Sequence, residues 1–361
     1  MTVAAAKPRI HSEPIVGPSV WGASNFSSEE ELRIPTPPHV VRELLDAIAQ
    51  NGNRPFLEVT ANTFHLPRTA AMMARVRDEL WNGRGFVITT GLPVEGLSVE
   101  QMELCYWLLG LQMGKPVSQS AAGERIAHVK DRTQPGQQQA ARGYTSRREL
   151  PLHTDQGDYM GLFCVNAAKS GGLSLASSVH AVFNTILERR PDLLEPLFRG
   201  FPYHRKNEQP DDQPAITPFD VPVLGYVDDR LAGRYVRASM NVAYDAMGKE
   251  WAPKDREALD MFDDVSWDDE HLIKFQLRRG EIYWANNWLT LHSRTEFEDY
   301  EEPEKKRLYL RMWLQRENPR SRVPAEMCNW QNPSGDLGID AKPGGKPADA
   351  EFLRTFKQRT L

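Results

Sequence analysis

Arg307-Leu308-Tyr309-Leu310-Arg311-Met312-Trp313-Leu314 carries the clearest two-residue alternation in the chain. Side chains along an extended strand point to opposite faces in turn. Leu308, Leu310, Met312 and Leu314 therefore share one face, and Arg307, Tyr309, Arg311 and Trp313 the other. The first face is apolar and asks for a core. The second is amphiphilic, and its Tyr and Trp set it apart from a plain solvated surface. If that face lines a pocket, an arginine on it can clamp a carboxylate through two charge-assisted hydrogen bonds. The plainer alternative is an exposed face decorated with Arg.

Upstream of this strand, Leu277 to Asn287 reads as a turn marked by Gly280, a short strand and an Asn-rich loop. His292 follows in Trp288-Leu289-Thr290-Leu291-His292, then Arg294 and an acidic loop from Glu296 to Glu304. Further upstream lies Pro151-Leu152-His153-Thr154-Asp155. At i and i+2 in extended chain, His153 and Asp155 face the same way. With His292 they make two imidazoles and one carboxylate, the set with which non-haem Fe(II) oxygenases hold a metal while leaving positions open. His-x-Asp alone is weak, because about one such pair is expected by chance in a chain of this size. Among the nine histidines, His180, His204 and His271 have no comparable setting. Context strengthens the pair. Leu150-Pro151-Leu152 is an apolar approach, Gln156-Gly157-Asp158 a polar turn, and Gly161 to Val165 a buried strand. The pair is thereby expected at a strand end, where sites are commonly built.

Further short motifs fall in order around these. They are Gly85-Phe86-Val87-Ile88, Met113-Gly114-Lys115-Pro116, Leu152 to Asp155, Ser170-Gly171-Gly172-Leu173-Ser174 and Arg279-Gly280-Glu281-Ile282. Asn286-Asn287 with His292-x-Arg294, and Arg307-x-x-x-Arg311, complete the set. Over roughly residues 80 to 315 the chain resembles the taurine dioxygenase-like family of Fe(II)- and 2-oxoglutarate-dependent oxygenases, which includes the clavaminate synthase-like enzymes. The resemblance implies a mainly β, α+β fold: a double-stranded β-helix (jelly-roll) barrel with helices packed outside. It implies that His153, Asp155 and His292 bind Fe(II), and that Arg307, assisted by Ser174, holds the distal carboxylate of 2-oxoglutarate. Arg311, on the same strand face, would look toward the substrate or the cosubstrate's edge. The implied reaction consumes O2 and 2-oxoglutarate, releases succinate and CO2, and oxidises an unactivated C–H bond by hydroxylation, desaturation or ring closure. A setting in secondary metabolism goes with it. Arg311 points to a small anionic or amino-acid-like substrate.

Length and composition narrow the remainder. The 361 residues suffice for one large β-barrel domain with decorations. We divide the chain into an N-terminal extension (1–55), the oxygenase domain with helical insertions (56–315) and a peripheral tail (316–361). A net charge of −5 argues against a general nucleic-acid binder. Cys105, Cys164 and Cys328 have no pairing or metal spacing and read as buried thiols of a reducing compartment. Met1 to Arg9 has no sustained apolar core, and no run approaches the roughly 20 apolar residues of a membrane span. The expectation is a soluble cytoplasmic protein with a small-molecule substrate and neither nucleic acid nor membrane as partner; homo-oligomerisation stays open.

Local signals place a helix near Val40 to Gln50 and another over Thr69 to Asn82 closed by Gly83. A strand over Gly85 to Thr90 follows, then a helix opened by a Ser98/Gln101 capping box and fraying at Gly110. Val179 to Arg189 and Pro191 to Arg199 read as inserted helices. Arg132 to Arg148 is either a surface loop or a lid over the site. Arg234 to Ser239 alternates as a barrel strand or a hairpin edge with exposed Arg, and a substrate pocket would draw on Tyr203 to Asn207 and Tyr235 to Tyr244. Two other functions compete with the oxygenase. A zinc hydrolase on the same triad would need a general base and leaves the Arg307/Arg311 face unexplained. A non-catalytic jelly roll that binds a metabolite has no use for an intact triad.

Overall fold

A computed structural model describes residues 10–133, 145–316, 323–331 and 337–342. The reading of Met1 to Arg9, and most of the lid segment (134–144), fall outside the described residues. In chain order the first elements are β1 (Arg33–Pro35), α1 (Pro38–Asn51), α2 (Pro67–Asn82), β2 (Phe86–Thr90), α3 (Val99–Met113), β3 (Lys115–Val117) and β4 (Ala127–Val129). Next come β5 (Tyr159–Asn166), β6 (Ser170–Gly171), β7 (Ser174–Ser178), α4 (Val179–Arg189), α5 (Leu194–Arg199), β8 (Leu224–Val227) and β9 (Arg230–Gly233). The chain then forms α6 (Arg237–Met247), α7 (Pro253–Trp267), β10 (Leu272–Phe275), β11 (Ile282–Asn286), β12 (Thr290–Arg294), β13 (Phe297–Glu298), β14 (Leu308–Gln315) and α8 (Ala325–Asn329).

Two sheets carry the architecture. The larger runs β1-β2-β11-β5-β14-β3, with β4 also pairing β14, and the smaller runs β10-β7-β12. Apart from the parallel β1–β2 pair, neighbouring strands are antiparallel. The alternation of β14 decides how the large sheet is covered. Leu310, Met312 and Leu314 pack with α1, α2 and α3, whereas Tyr309 and Trp313 join Phe86, Tyr283 and Met160 in a core between the sheets. Ala176, Ile273 and Phe275 of the small sheet close that inner core. Leu175, Leu272 and Leu291 point the other way, into a third cluster with α4, α5 and α7. The result is a helix–sheet–sheet–helix stack, mixed α+β. Central strands covered on both faces are apolar throughout, and β5 fits this pattern.

Local chemistry accounts for the helix ends. Ser98 Oγ accepts from the Gln101 amide at 3.2 Å while Gln101 Oε1 accepts from the Ser98 amide at 2.9 Å, the reciprocal capping box expected at α3. Gly83 closes α2 as its C-cap. Gly110 is a correction. The helix continues to Met113, and Gly110 is buried where a Cβ would meet Met312 of β14, so its role is close packing rather than fraying. A second correction concerns Arg234 to Ser239. After β9 the chain leaves the ladder at Arg234 and Arg237 already begins α6, so period-2 alternation here reflected coincidence of residue types. Arg234 is fully buried, not exposed.

Described segments before β2 and after β14 pack on these layers. Trp21 is buried and its indole N–H donates to the Arg84 carbonyl at 2.8 Å, while β1 extends the large sheet. Trp330 packs in the outer cluster of the small sheet, and Val323, Met327, Cys328 and Leu337 pack with Trp288. All three cysteines are buried, and none is in a disulfide. Among the described residues no helix is long and apolar enough to cross a membrane.

Candidate metal centre

His292 lies on β12, and because Leu291 faces outward into the apolar cluster, His292 and Arg294 face the space between the sheets. His153 reaches the same space from an extended segment that is joined to β12 by one isolated bridge rather than from the end of a ladder strand. The His153 amide donates to the His292 carbonyl at 3.1 Å and the His292 amide to the His153 carbonyl at 2.9 Å. That reciprocal pair sets the two rings 4.5 Å apart, centroid to centroid. Asp155, two residues on, returns to the same side. Asp155 Oδ1 is 3.9 Å from His153 Nε2, and Oδ2 is 3.5 Å from His292 Nε2. One donor atom from each of the three side chains lies within 4.8 Å of the others.

The protonation states suit a cation. His153 Nδ1 lies 2.9 Å from the Pro151 carbonyl, so that nitrogen carries the proton and Nε2 keeps its lone pair for a ligand. Burial first, and the neighbouring His292 second, push the His153 ring down to about 4, which keeps it neutral. Burial opposes charge on Asp155, but Arg311, then the two histidines, outweigh it and hold the carboxyl well below the usual carboxylate range. Among the described residues, Asp155 Oδ2 and His292 Nδ1 are buried with no hydrogen-bond partner. A buried anionic oxygen that meets only the His292 ring nitrogen, at 3.5 Å, costs free energy unless something fills the position. Two nitrogens and one carboxylate oxygen fit a divalent iron.

Arg311 belongs to this centre. One terminal nitrogen is 3.4 Å from Asp155 Oδ1, and Nε donates to Gln119 Oε1 at 2.8 Å. Gln119 in turn donates to the carbonyls of Arg311 at 2.8 Å and Arg125 at 3.1 Å, so the guanidinium is set by a buried amide. Arg307 is placed elsewhere in the inter-sheet space. It is 2% exposed, with Cζ 3.9 Å from the Tyr309 ring centroid and 5.0 Å from that of Phe297. One terminal nitrogen donates to the Val129 carbonyl at 3.4 Å, and Nε has no hydrogen-bond partner among the described residues. Ser174 is buried on β7, opposite Arg294 and Phe275 in register. The structure thus unites His153, Asp155, His292 and Arg311 at one point and leaves Arg307 and Ser174 without a direct bond to them.

Several residues that shape the centre escaped the sequence reading. Gln119 gave no signal beyond its polarity. Asn287 was noted only as part of a motif. Its Oδ1 accepts from the Asp155 amide at 3.2 Å and its Nδ2 donates to the Gly157 carbonyl at 2.9 Å, which fixes the turn after the ligand. Arg294 donates to the carbonyls of Ser146 and Arg148, fastening β12 to the segment that leads into the metal motif. Burial, and then the nearby Arg307, push Arg294 down to about 9.

A triad of two part-buried imidazoles and one buried carboxylate, with no fourth protein ligand grouped with it among the described residues, defines a non-haem iron centre of the oxygenase type. The chain belongs to the taurine catabolism dioxygenase TauD, TfdA family, whose model matches residues 52–313. FR-33289 synthase of Streptomyces rubellomurinus is 27% identical over 319 residues, covering 86% of this chain and 93% of that protein. Taurine hydroxylase-like protein SAT17 of Stachybotrys chartarum is 26% identical over 293 residues, covering 77% and 73%. Among solved structures, asparagine oxygenase in complex with Fe(II), 2S,3S-3-hydroxyasparagine and succinate superposes with a TM-score of 0.62 at 15% identity, over 79% of this chain and 93% of that one. Non-haem iron oxygenase OrfP in complex with Fe and alpha-ketoglutaric acid gives a TM-score of 0.57 at 13% identity, over 80% and 95%. The chain is a non-haem Fe(II)- and 2-oxoglutarate-dependent dioxygenase, with iron as cofactor and 2-oxoglutarate and O2 as cosubstrates. The zinc hydrolase and the inert binder are set aside.

Proposed function

We propose that this dioxygenase oxidises an unactivated C–H bond of a small anionic or amino-acid-like metabolite, with release of succinate and CO2. Hydroxylation is the outcome put forward first, and desaturation or ring closure would need the same residues. A setting in secondary metabolism is in keeping with the synthase among its relatives. The observation that carries the substrate class is the Arg311 guanidinium, held by Gln119 and set 3.4 Å from the candidate metal carboxylate. A fixed cation at that distance would fix one end of an anionic substrate and set its reacting carbon against the metal. The OrfP and asparagine oxygenase structures contain hydroxylated arginine and asparagine, in keeping with an amino-acid-like ligand.

In this reading His153, Asp155 and His292 hold Fe(II), which when bound supplies the oxidising chemistry. The protein's share is position and dryness. His153 is kept in the ligating tautomer by the Pro151 carbonyl, and Asp155 is kept ionised by Arg311. Arg307, buried and with an unpartnered Nε–H, would take the distal carboxylate of 2-oxoglutarate, with the Ser174 hydroxyl assisting. The inner core of Tyr309, Trp313, Tyr283 and Phe275 would exclude water from the reacting atoms. We further propose that the two sheets form a double-stranded β-helix spanning the 56–315 domain, with 1–55 wrapped upon it and 316–361 appended.

The test is succinate formation by Fe(II)-loaded protein screened against amino acids, small acids and peptide-like natural products. An anionic or amino-acid-like compound should raise succinate release stoichiometrically with an oxidised product. Arg311→Ala should raise the KM for that compound at least tenfold. A substrate without any anionic group, or an unchanged KM in the variant, would contradict the proposal.

A further inference from the structure

Against the backbone carbonyls of Asp155 and Gln156 the chain buries a complete arginine. Arg234 is 0% exposed, and burial pulls its pKa down, so its presence opposes stability unless its donors are used. Its two terminal nitrogens donate to the carbonyls of Asp155 and Gln156, the latter at 3.3 Å, while its Nε has no partner. Its guanidinium carbon lies 4.0 Å from the Trp288 ring centroid, within stacking range. Trp288 is itself fixed, donating its indole N–H to Asp158 at 2.8 Å.

The main chain around Arg234 is held just as firmly. Its amide donates to the Val223 carbonyl at 2.9 Å, and its carbonyl accepts from the Tyr203 hydroxyl at 3.2 Å. The following residue meets the residue between the two metal ligands. The Thr154 amide donates to the Tyr235 carbonyl at 2.9 Å, and the Tyr235 amide to Thr154 Oγ1 at 3.1 Å. Gly233, just before, lets the chain pass close to Val179, whose Cγ1 would lie 2.7 Å from an added Cβ. The 234–235 pair therefore braces residues 154–156, while the Asn287 side-chain amide separately holds the Asp155 amide and the Gly157 carbonyl.

We propose that Arg234 is a positioning residue for the metal carboxylate: its guanidinium spans the Asp155 and Gln156 carbonyls and fixes the direction in which the Asp155 side chain leaves the backbone. The inference rests on the triad as the iron site. Outer contacts of this sort typically change metal affinity 10- to 100-fold when removed. Lysine carries its donors on a single nitrogen, so it cannot reproduce the planar two-nitrogen grip on the carbonyls or lie flat on the indole, and methionine fills the volume with no donor at all.

The experiment titrates Co(II), as a spectroscopic probe, into metal-free wild type, Arg234→Lys and Arg234→Met, and records the dissociation constant, the visible absorption and the melting temperature of each. Wild type should bind one Co(II); the Met variant should bind roughly tenfold or more weakly with an altered band pattern, and the Lys variant should fall between. A merely structural arginine would lower the melting temperature and leave affinity and spectrum of the folded fraction alone, and that result overturns the proposal. If the Met variant does not fold, the Lys variant decides alone: wild-type affinity and spectrum there also overturn it. Failure of wild type to bind Co(II) would instead strike at the triad itself.

Discussion

Replacing Arg307 with lysine keeps a positive charge between the sheets but removes the planar, two-pronged donor. Arg307 is 2% exposed, stacked 3.9 Å from the Tyr309 centroid, and leaves its Nε–H without a protein partner. A distal carboxylate of 2-oxoglutarate seated there would receive two charge-assisted hydrogen bonds from arginine and one from lysine. Each hydrogen bond to a charged group contributes about 1.5–3 kcal/mol. At about 1.4 kcal/mol per tenfold, Arg307→Lys should weaken 2-oxoglutarate by roughly 10- to 150-fold. The assay is the KM for 2-oxoglutarate from succinate formation, paired with anaerobic titration of the cosubstrate into Fe(II)-loaded protein. No bond joins Arg307 to His153, Asp155 or His292, so the affinity for the metal alone should stay within about twofold of wild type. A variant that folds and keeps its KM for 2-oxoglutarate would refute the reasoning, since the cosubstrate's far end would then be held elsewhere.

Two further perturbations test the frame around the site. Gly110→Val should lower stability by about 1–3 kcal/mol, because the added side chain meets Met312 Sδ, with Met312 Cε 2.9 Å from the Cβ position; an unchanged midpoint of urea unfolding would contradict this packing. His180 titrates with the same sign as a paired carboxylate, but in a higher pH window. Burial holds its ring down to about 4, with Nε2 donating to the Leu231 carbonyl and Nδ1 accepting from Ser19 Oγ. An unfolded histidine titrates near 6.5, so the stabilisation is complete above about 6.5 and is lost as pH falls toward 4. Between pH 7.5 and 5 this amounts to about 2 kcal/mol, and His180→Gln should lose that much less stability than wild type over the same interval. Equal losses in urea titrations of both proteins would count against it.

The sequence exposed the parts of this enzyme whose signal is periodic or chemically rare. Strand β14 was legible because alternation over eight residues separates a leucine face from an Arg/Tyr/Trp face, and the two faces meet different cores. His153 and Asp155 were legible because i and i+2 in extended chain share a side. The bridge that joins His153 to His292 was not, since backbone pairing between residues 139 apart leaves no trace in residue type. Arg234 shows the same limit more sharply. Alternation of Arg, Tyr, Val and Arg resembles a strand, whereas the structure uses Arg234 for two backbone carbonyls and begins a helix at Arg237. Carbonyl acceptors belong to every residue, so no spacing rule could have pointed at them. Gln119 and Gly110 likewise owe their roles to partners on β14 about 200 positions away.

The central claim is that His153, Asp155 and His292 together hold one ferrous ion with room beside it for a keto acid. Anaerobic addition of Fe(II) and 2-oxoglutarate to metal-free protein, followed in the visible, tests it most directly. Wild type should develop a metal-to-ligand charge-transfer band that saturates at one iron per chain, and Asp155→Ala, checked for an unaltered fold, should develop none. A band of full intensity in the Asp155 variant, or none in wild type, would contradict the claim.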